Sequence, residues 1–204
     1  MKYLYLGFVA TLFLSCGNEA PKAVEETTEV CTYSYDDLST KVNWNAFKFN
    51  EKTAVGGTFN EVNVLISQAS EDMFKTLTGA SFTIPTSGVN SNNEIRDPKI
   101  KASFFDQMES TEVISGVVKS INATDANVEI TMNGVSKDYN GAVTVDGQKI
   151  SFATTIDMND FDAGYAIDSL NNVCSDLHKG ADGVSKLWTE VEINVETTLK
   201  KDCK

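Results

Sequence analysis

SFTIPTSGVNSNNEIRDPKIKASFFDQ, residues 81–107, is the stretch from which the rest of the chain is read. Its opening alternates, with Phe82 and Ile84 on one face and Ser81 and Thr83 on the other, until Pro85 closes the run. Period-two alternation marks a strand with one buried face, and proline ends a ladder because it has no N–H to donate. Residues 86–93 are polar, with Gly88 and three asparagines, and read as a loop. Asp97 then suits a helix N-cap and Pro98 the first helical position, where no N–H is needed. Ile100 and Phe104, four residues apart, look the same way from that helix.

Working outward, the same alternation recurs. In residues 41–49, Val42, Trp44 and Ala46 oppose Asn43 and Asn45, while Phe47 and Phe49 fall on the second face. Residues 31–35, 61–68, 112–121, 127–132, 139–145, 149–156 and 188–199 read as further strands. Gly56-Gly57 predicts a bulge or bend, and Asn133-Gly134 and Asp146-Gly147 predict hairpin turns that accept positive φ. Residues 70–79 read as a two-turn helix capped by Ser70. Tyr165, Ala166, Leu170, Val173, Cys174 and Leu177 recur at helical spacing up to Gly180. The expectation is an all-β domain: one antiparallel barrel, closed by eight strands, with two or three short helices. Such a barrel has room inside for side chains or one small ligand.

Composition narrows the function. The chain has 204 residues and a formal net charge of −12, and its lysines form no basic stripe, which argues against nucleic acid. One histidine and no Cys-x-x-Cys pair argue against a zinc or iron site, so no cofactor is expected. His178 sits near a helix end, where a cation suits the dipole. Asp157, Asp160 and Asp162 cluster without the spacing of a calcium loop, and Asp162 reads as a helix cap. Arg96 and Asp97 could touch a ligand head group, although capping and charge pairing explain them more simply. No nucleophile, base and oxyanion donor gather in the sequence, so it carries no enzyme signature.

The first residues stand apart. Residues 1–15 hold Lys2 and then an apolar run too short to span a bilayer, which needs about 20 apolar residues. They have the build of a signal peptide. LFLSCG, residues 12–17, resembles a bacterial lipobox, which implies cleavage before Cys16 and lipid attachment to its thiol. Residues 16–30 are acidic, small and aperiodic, and read as a flexible tether ahead of a single domain at 31–204.

The motifs also carry a resemblance. FTIPTSGVNSNNEIRDPKIKASFFD, KVNWNAFKF (41–49), VGGTF (55–59), ITMNGVSK (130–137) and FATTIDMNDF (152–161) resemble, in order and spacing, the YceI-like family. The resemblance covers most of the chain after residue 40. It implies a lipocalin-like barrel in the bacterial periplasm that binds a polyisoprenoid, quinone or other long-chain lipid. With the lipobox it implies a lipid-anchored protein of the cell envelope, periplasmic or at the outer membrane. Burying hydrocarbon is worth about 0.8 kcal/mol per CH₂ and needs no polar motif. The candidate lining is therefore aromatic: Trp44, Phe47, Phe49, Phe59, Phe82, Phe104, Phe105 and Phe152. The alternative is a non-enzymatic interaction or structural protein whose barrel is filled by its own side chains. A homodimer stays open in either case.

Three cysteines follow Cys16, and an oxidising compartment favours a disulfide. Cys31 opens the first strand and Cys203 follows the last, so antiparallel end strands would set them side by side. A Cys31–Cys203 bridge is expected. Cys174 reads as a small buried hydrophobe, although its pairing with either partner stays open at this level.

Overall fold

The computed structural model describes residues 29–66 and 68–204, so the proposed signal peptide, Cys16 and nearly all of the tether lie outside the described residues. In chain order the elements are β1 (Cys31–Tyr35), β2 (Lys41–Lys48), β3 (Thr53–Phe59), β4 (Asn63–Leu65), α1 (Met73–Leu77), β5 (Ser81–Pro85) and β6 (Val89–Asn90). There follow α2 (Arg96–Ser103), β7 (Val113–Ile121), β8 (Asp125–Met132), β9 (Val135–Asp146), β10 (Lys149–Asp157), α3 (Gly164–Val173) and β11 (Leu187–Cys203). One-turn helices stand at Thr86–Gly88, Phe105–Gln107, Met158–Phe161 and Ser175–Leu177.

All ladders are antiparallel. They run β5-β7-β8-β9-β10-β11-β2-β3, with β4 on the free side of β5 and β6 on the free side of β3. β3 and β4 are two halves of one bent run, and β5 and β6 are two halves of another. These runs pair on both sides of their break, Asn63 with Thr83 and Phe59 with Val89. The Asn60 N–H donates to the Gly88 carbonyl at 2.8 Å across the gap. The wall thus comes round on itself. Eleven strand segments replace the eight expected strands because two wall strands are broken and β1 lies outside the ring. β1 continues the wall by pairing with the end of β11, from Tyr35 opposite Leu199 to Cys31 opposite Cys203. That register brings the two sulfurs together, and the Cys31–Cys203 disulfide is formed. Cys174 is buried and unbridged.

Several local expectations need correction. α1 starts at Met73, because Asp72 caps it by accepting from the Phe74 and Lys75 N–H groups. Ser70 instead accepts from the Asp72 N–H. In α2, Asn93 supplies the capping oxygen, to the N–H groups of Ile95 and Arg96. Asp97 is spared for a different task and accepts from the Ser91 N–H and hydroxyl, at 2.8 and 2.6 Å. Asp162 has a left-handed backbone, and α3 has no side-chain cap; Asp157 caps the preceding turn. α3 stops at Val173 and buries Ala166 and Ile167, while Tyr165, Val173 and Leu177 are exposed. Its apolar stripe is therefore narrower than the sequence pattern suggests. Gly56 and Gly57 sit in an unbroken ladder with Asn45 and Trp44, so there is no bulge. Asn133 and Gly134 both have positive φ, as the hairpin reading requires. In the next hairpin Asp146 pairs with Lys149, which makes Gly147 and Gln148 the turn residues.

The two ends of the barrel differ. α2, α3 and the turns at Phe105–Gln107 and Met158–Phe161 lie between strands at one end, where Met158, Phe161, Ala163 and Ala166 are almost fully buried. Asn133, in the β8–β9 turn, ties this cap together. It accepts from the Glu109 N–H and donates to the Phe161 carbonyl. The other end carries β1, β4, α1 and the β9–β10 turn. There the helix cover among the described residues is α1 alone.

The barrel lumen as candidate binding site

An apolar cavity of about 160 Å³ lies inside the barrel, lined by residues of ten elements and the loops between them, from Tyr35 to Thr197. β8 shows how strand geometry builds it: Ala126, Val128, Ile130 and Met132 all face inward. Ile150, Phe152 and Ile156 of β10 and Ile193 and Val195 of β11 continue the lining. At the capped end Ile84, Met132 and Ile156 are buried. At the other end Tyr35, Thr40, Val62 and Val64 are only half-buried, so that end is the mouth. Among the described residues no charged side chain lines the cavity, and the polar lining is Tyr35, Thr40, Ser81 and Thr197. A dry apolar void of this size suits a hydrocarbon group better than water, which needs polar partners.

Three of the expected aromatics, Phe59, Phe82 and Phe152, line this cavity. Trp44, Phe104 and Phe105 are buried in the surrounding core instead. Trp44 donates its indole N–H to the Thr58 carbonyl at 3.3 Å. Phe105 meets Phe104 edge-on at 5.0 Å between ring centroids and reaches Phe59 at 6.3 Å, which links the cap to the lumen wall. Phe47 and Phe49 do not reach the lumen. Phe47 follows the outward register of Asn43 and Asn45, with Lys52 5.9 Å from its ring. Phe49 has left the strand at positive φ and lies under Lys48. Aromatic identity marked a buried face but could not say which face of β2 turns inward near its end.

Two glycines, Gly116 and Gly141, set the bore, and Gly57 makes the same room for Trp44 in the core around it. A methyl group on Gly57 would stand 2.3 Å from the Trp44 ring, one on Gly116 2.3 Å from the Phe82 ring, and one on Gly141 2.5 Å from the Phe152 ring. Each ring lies flat on a neighbouring strand where there is no side chain to lift it. The wall is thereby covered with aromatic surface while the centre stays open. Sequence reading singled out Gly57 for a different reason and passed over Gly116 and Gly141. A glycine in mid-strand was the available signal, but its aromatic partner sits on another strand, remote in sequence.

The groups whose pKa values are displaced lie outside the lumen. Burial, and then the positive charges of Lys48, Arg96 and Lys99, lower the His178 pKa to about 4. The ring is therefore neutral at pH 7, and the reading of His178 as a helix-end cation is corrected. Its Nδ1 lies 3.1 Å from Asn171 Oδ1, which also accepts from the Ser185 hydroxyl at 2.9 Å. The amide stands between serine and histidine, so the arrangement is a structural clasp and not a nucleophile with its base. Burial and Asp160 hold the Tyr139 hydroxyl well above its usual range, and Tyr139 donates to Asp160 at 2.8 Å. Asp157, Asp160 and Asp162 thus serve a cap, a tyrosine and a turn, respectively. Glu29 stands beside Cys31 and Cys203, but both thiols are spent in the disulfide.

A family model described as the YceI-like domain matches residues 33–199. The chain belongs to the YceI-like family. A polyisoprenoid-binding domain from Saccharophagus degradans is similar in structure, with a TM-score of 0.60 and 13% identity, over 85% of this chain and 99% of that one. BcnA of Burkholderia cenocepacia gives 0.55 and 15%, over 83% and 99%. The YceI protein of Campylobacter jejuni gives 0.52 and 18%, over 78% and 90%. No curated protein matches the chain. At these identities the YceI-like neighbours share the fold, and the chain's own lumen has to carry the chemistry.

Proposed function

We propose that this protein binds one long-chain apolar lipid, of isoprenoid, quinone or acyl type, with the chain inside the barrel. The observation that carries this reading is the predominantly apolar lining of the lumen, free of charged side chains among the described residues. The description of the Saccharophagus degradans neighbour as polyisoprenoid-binding supports the same ligand class. The cavity of about 160 Å³ holds a group of roughly benzene size as it stands. Taking a full chain therefore requires the rings of Phe59, Phe82 and Phe152 to turn and α1 to give way at the mouth. Each CH₂ taken in contributes about 0.8 kcal/mol toward that rearrangement. The role is carriage or sequestration, without turnover.

The proposed setting is the bacterial cell envelope, with a lipid anchor on Cys16. β1 leaves the barrel at the mouth end, so a tether preceding it would start beside the opening. Native mass spectrometry of protein purified from its own envelope tests the reading. An adduct that dissociates as an isoprenoid or acyl lipid supports it. A clean apo mass, with no lipid in a denaturing extract, refutes it. Intact mass of the Cys16→Ala variant against the unmodified protein, both from the membrane fraction, tests the anchor separately.

A further inference from the structure

One stretch of the barrel wall is not laced by a ladder. β2 pairs with β3 as far as Asn43 opposite Thr58, and β1 meets the chain after β4 only where Tyr33 pairs with Ser70. Those two pairs set the loop 36–40 against residues 60–66. Among the described residues no backbone hydrogen bond joins residues 34–41 to residues 59–69. Both edges of this seam reach the lumen. Tyr35, Thr40 and Val42 line the cavity from one side, and Phe59, Val62 and Val64 line it from the other. Neighbouring segments held by side-chain contact alone part at less cost than a laced strand pair.

The outer side of the seam carries two leucines. Leu65 follows Val64 on β4 and therefore faces outward, 74% exposed. Leu38 is 91% exposed and has a φ of 75°. It is the third residue of a turn closed by the Ser39 N–H on the Asp36 carbonyl at 2.9 Å, a place where glycine or asparagine takes positive φ with little strain. A leucine held in water on a strained backbone adds nothing to the packing of the barrel. Such an outlier points to a surface that meets something apolar.

The surroundings name what it meets. The seam leads to a lumen without charged lining among the described residues. A long-chain lipid is held by a bilayer and not by water, because its hydrocarbon is driven out of water. The chain reaches the barrel through β1, which forms one edge of the seam, and the residues ahead of it include the apolar run 3–14 and Cys16. The loop's own charges are Asp36, engaged by Lys200 at 2.7 Å, and Asp37, so the contact is apolar and not a basic patch on anionic lipid.

We infer that this seam is the portal through which a lipid enters the lumen, and that Leu38 and Leu65 seat it on the surface of a lipid bilayer. This rests on the lipid-binding reading above and names the surface from which the ligand is taken.

The experiment follows transfer of all-trans-retinol, a fluorescent isoprenoid alcohol, from phosphatidylcholine vesicles to the purified full-length protein. A non-exchanging NBD-labelled phosphatidylethanolamine in the vesicles quenches retinol until it leaves. Leu38→Asp with Leu65→Asp should slow transfer by about tenfold or more, the factor expected when leucines no longer enter the bilayer. Affinity for retinol dispersed without vesicles should stay within about twofold, as for exposed substitutions generally, which also shows that the variant folds. Val173→Asp with Leu177→Asp, exposed residues at the capped end, should leave both readouts unchanged. In the otherwise unmodified chain, Leu38→Trp should be quenched by brominated phosphatidylcholine vesicles beyond the background of Trp44 and Trp188. An unquenched Leu38→Trp, an unchanged transfer rate in the Leu38/Leu65 variant, or equal slowing in the capped-end variant overturns the portal while leaving lipid binding in place. Failure of the unmodified protein to take retinol from vesicles or from dispersion overturns the lipid-binding reading, and the portal with it.

Discussion

Replacing Cys31 and Cys203 by serine tests how the β1 appendage is held. The bridge spans a sequence separation of 172, and closing a loop of that length corresponds to about 5 kcal/mol on the chain-entropy relation. β1 lies outside the barrel ring. Its other attachments include one ladder to β11, the paired backbone bonds between Tyr33 and Ser70, the Thr76 hydroxyl on the Tyr33 carbonyl and the Tyr35 hydroxyl on Thr40. Ordering each of its residues costs about 1–2 kcal/mol of backbone entropy. Without the bridge, β1 is expected to open before the barrel does. Urea denaturation followed by tryptophan fluorescence should show a loss of about 2–5 kcal/mol for the double serine variant. Amide exchange over residues 31–35 should rise well ahead of that over β8. Because Tyr35 lines the mouth, affinity for an apolar ligand should fall as well. A stability loss under about 1 kcal/mol, with β1 protection unchanged, would refute this account, since the remaining contacts would then suffice.

Three further outcomes follow from the lumen and its surroundings. Val128→Phe, which fills the middle of the cavity, should cost about 1–3 kcal/mol of stability yet abolish displacement of an apolar probe. Retained probe binding would place the ligand elsewhere. Gly116→Ala puts a methyl 2.2 Å from the Glu129 carbonyl and 2.3 Å from the Phe82 ring, so thermal unfolding should move down by an overpacking cost of about 1–3 kcal/mol. An unchanged midpoint would show that the ring does not lie on that glycine. His178 has a folded pKa of about 4, below the ordinary value of 6.5, so the unfolded chain binds its proton more readily. Its contribution to stability is whole above pH 6.5 and is lost as pH falls toward 4. His178→Gln should flatten the measured stability across that window; an equal slope in both proteins would dismiss the histidine as its source.

The sequence by itself determined the class of fold and much of its wiring. Alternation in β8, β10 and β11 is visible because one face of each meets the lumen or core and the other meets water. The Asn133-Gly134 turn was legible from backbone sterics alone. The disulfide was legible once the first and last strands were taken as antiparallel neighbours, although sequence could not exclude Cys174. Tertiary structure decided what depends on neighbours remote in sequence. It moved the α2 cap from Asp97 to Asn93, because Ser91 offered Asp97 two better-placed donors. It kept Phe59, Phe82 and Phe152 in the lumen and turned Phe47 and Phe49 away, because Phe47 keeps the outward register of Asn43 and Asn45 and Phe49 has left the strand at positive φ. It made Gly116 and Gly141 meaningful by laying aromatic rings of other strands on them. Alternation reports whether a side chain leaves water, a property of one residue and its immediate chain. Whether the place it reaches is filled or open depends on the volumes of many side chains at once, and only the folded chain brings those together.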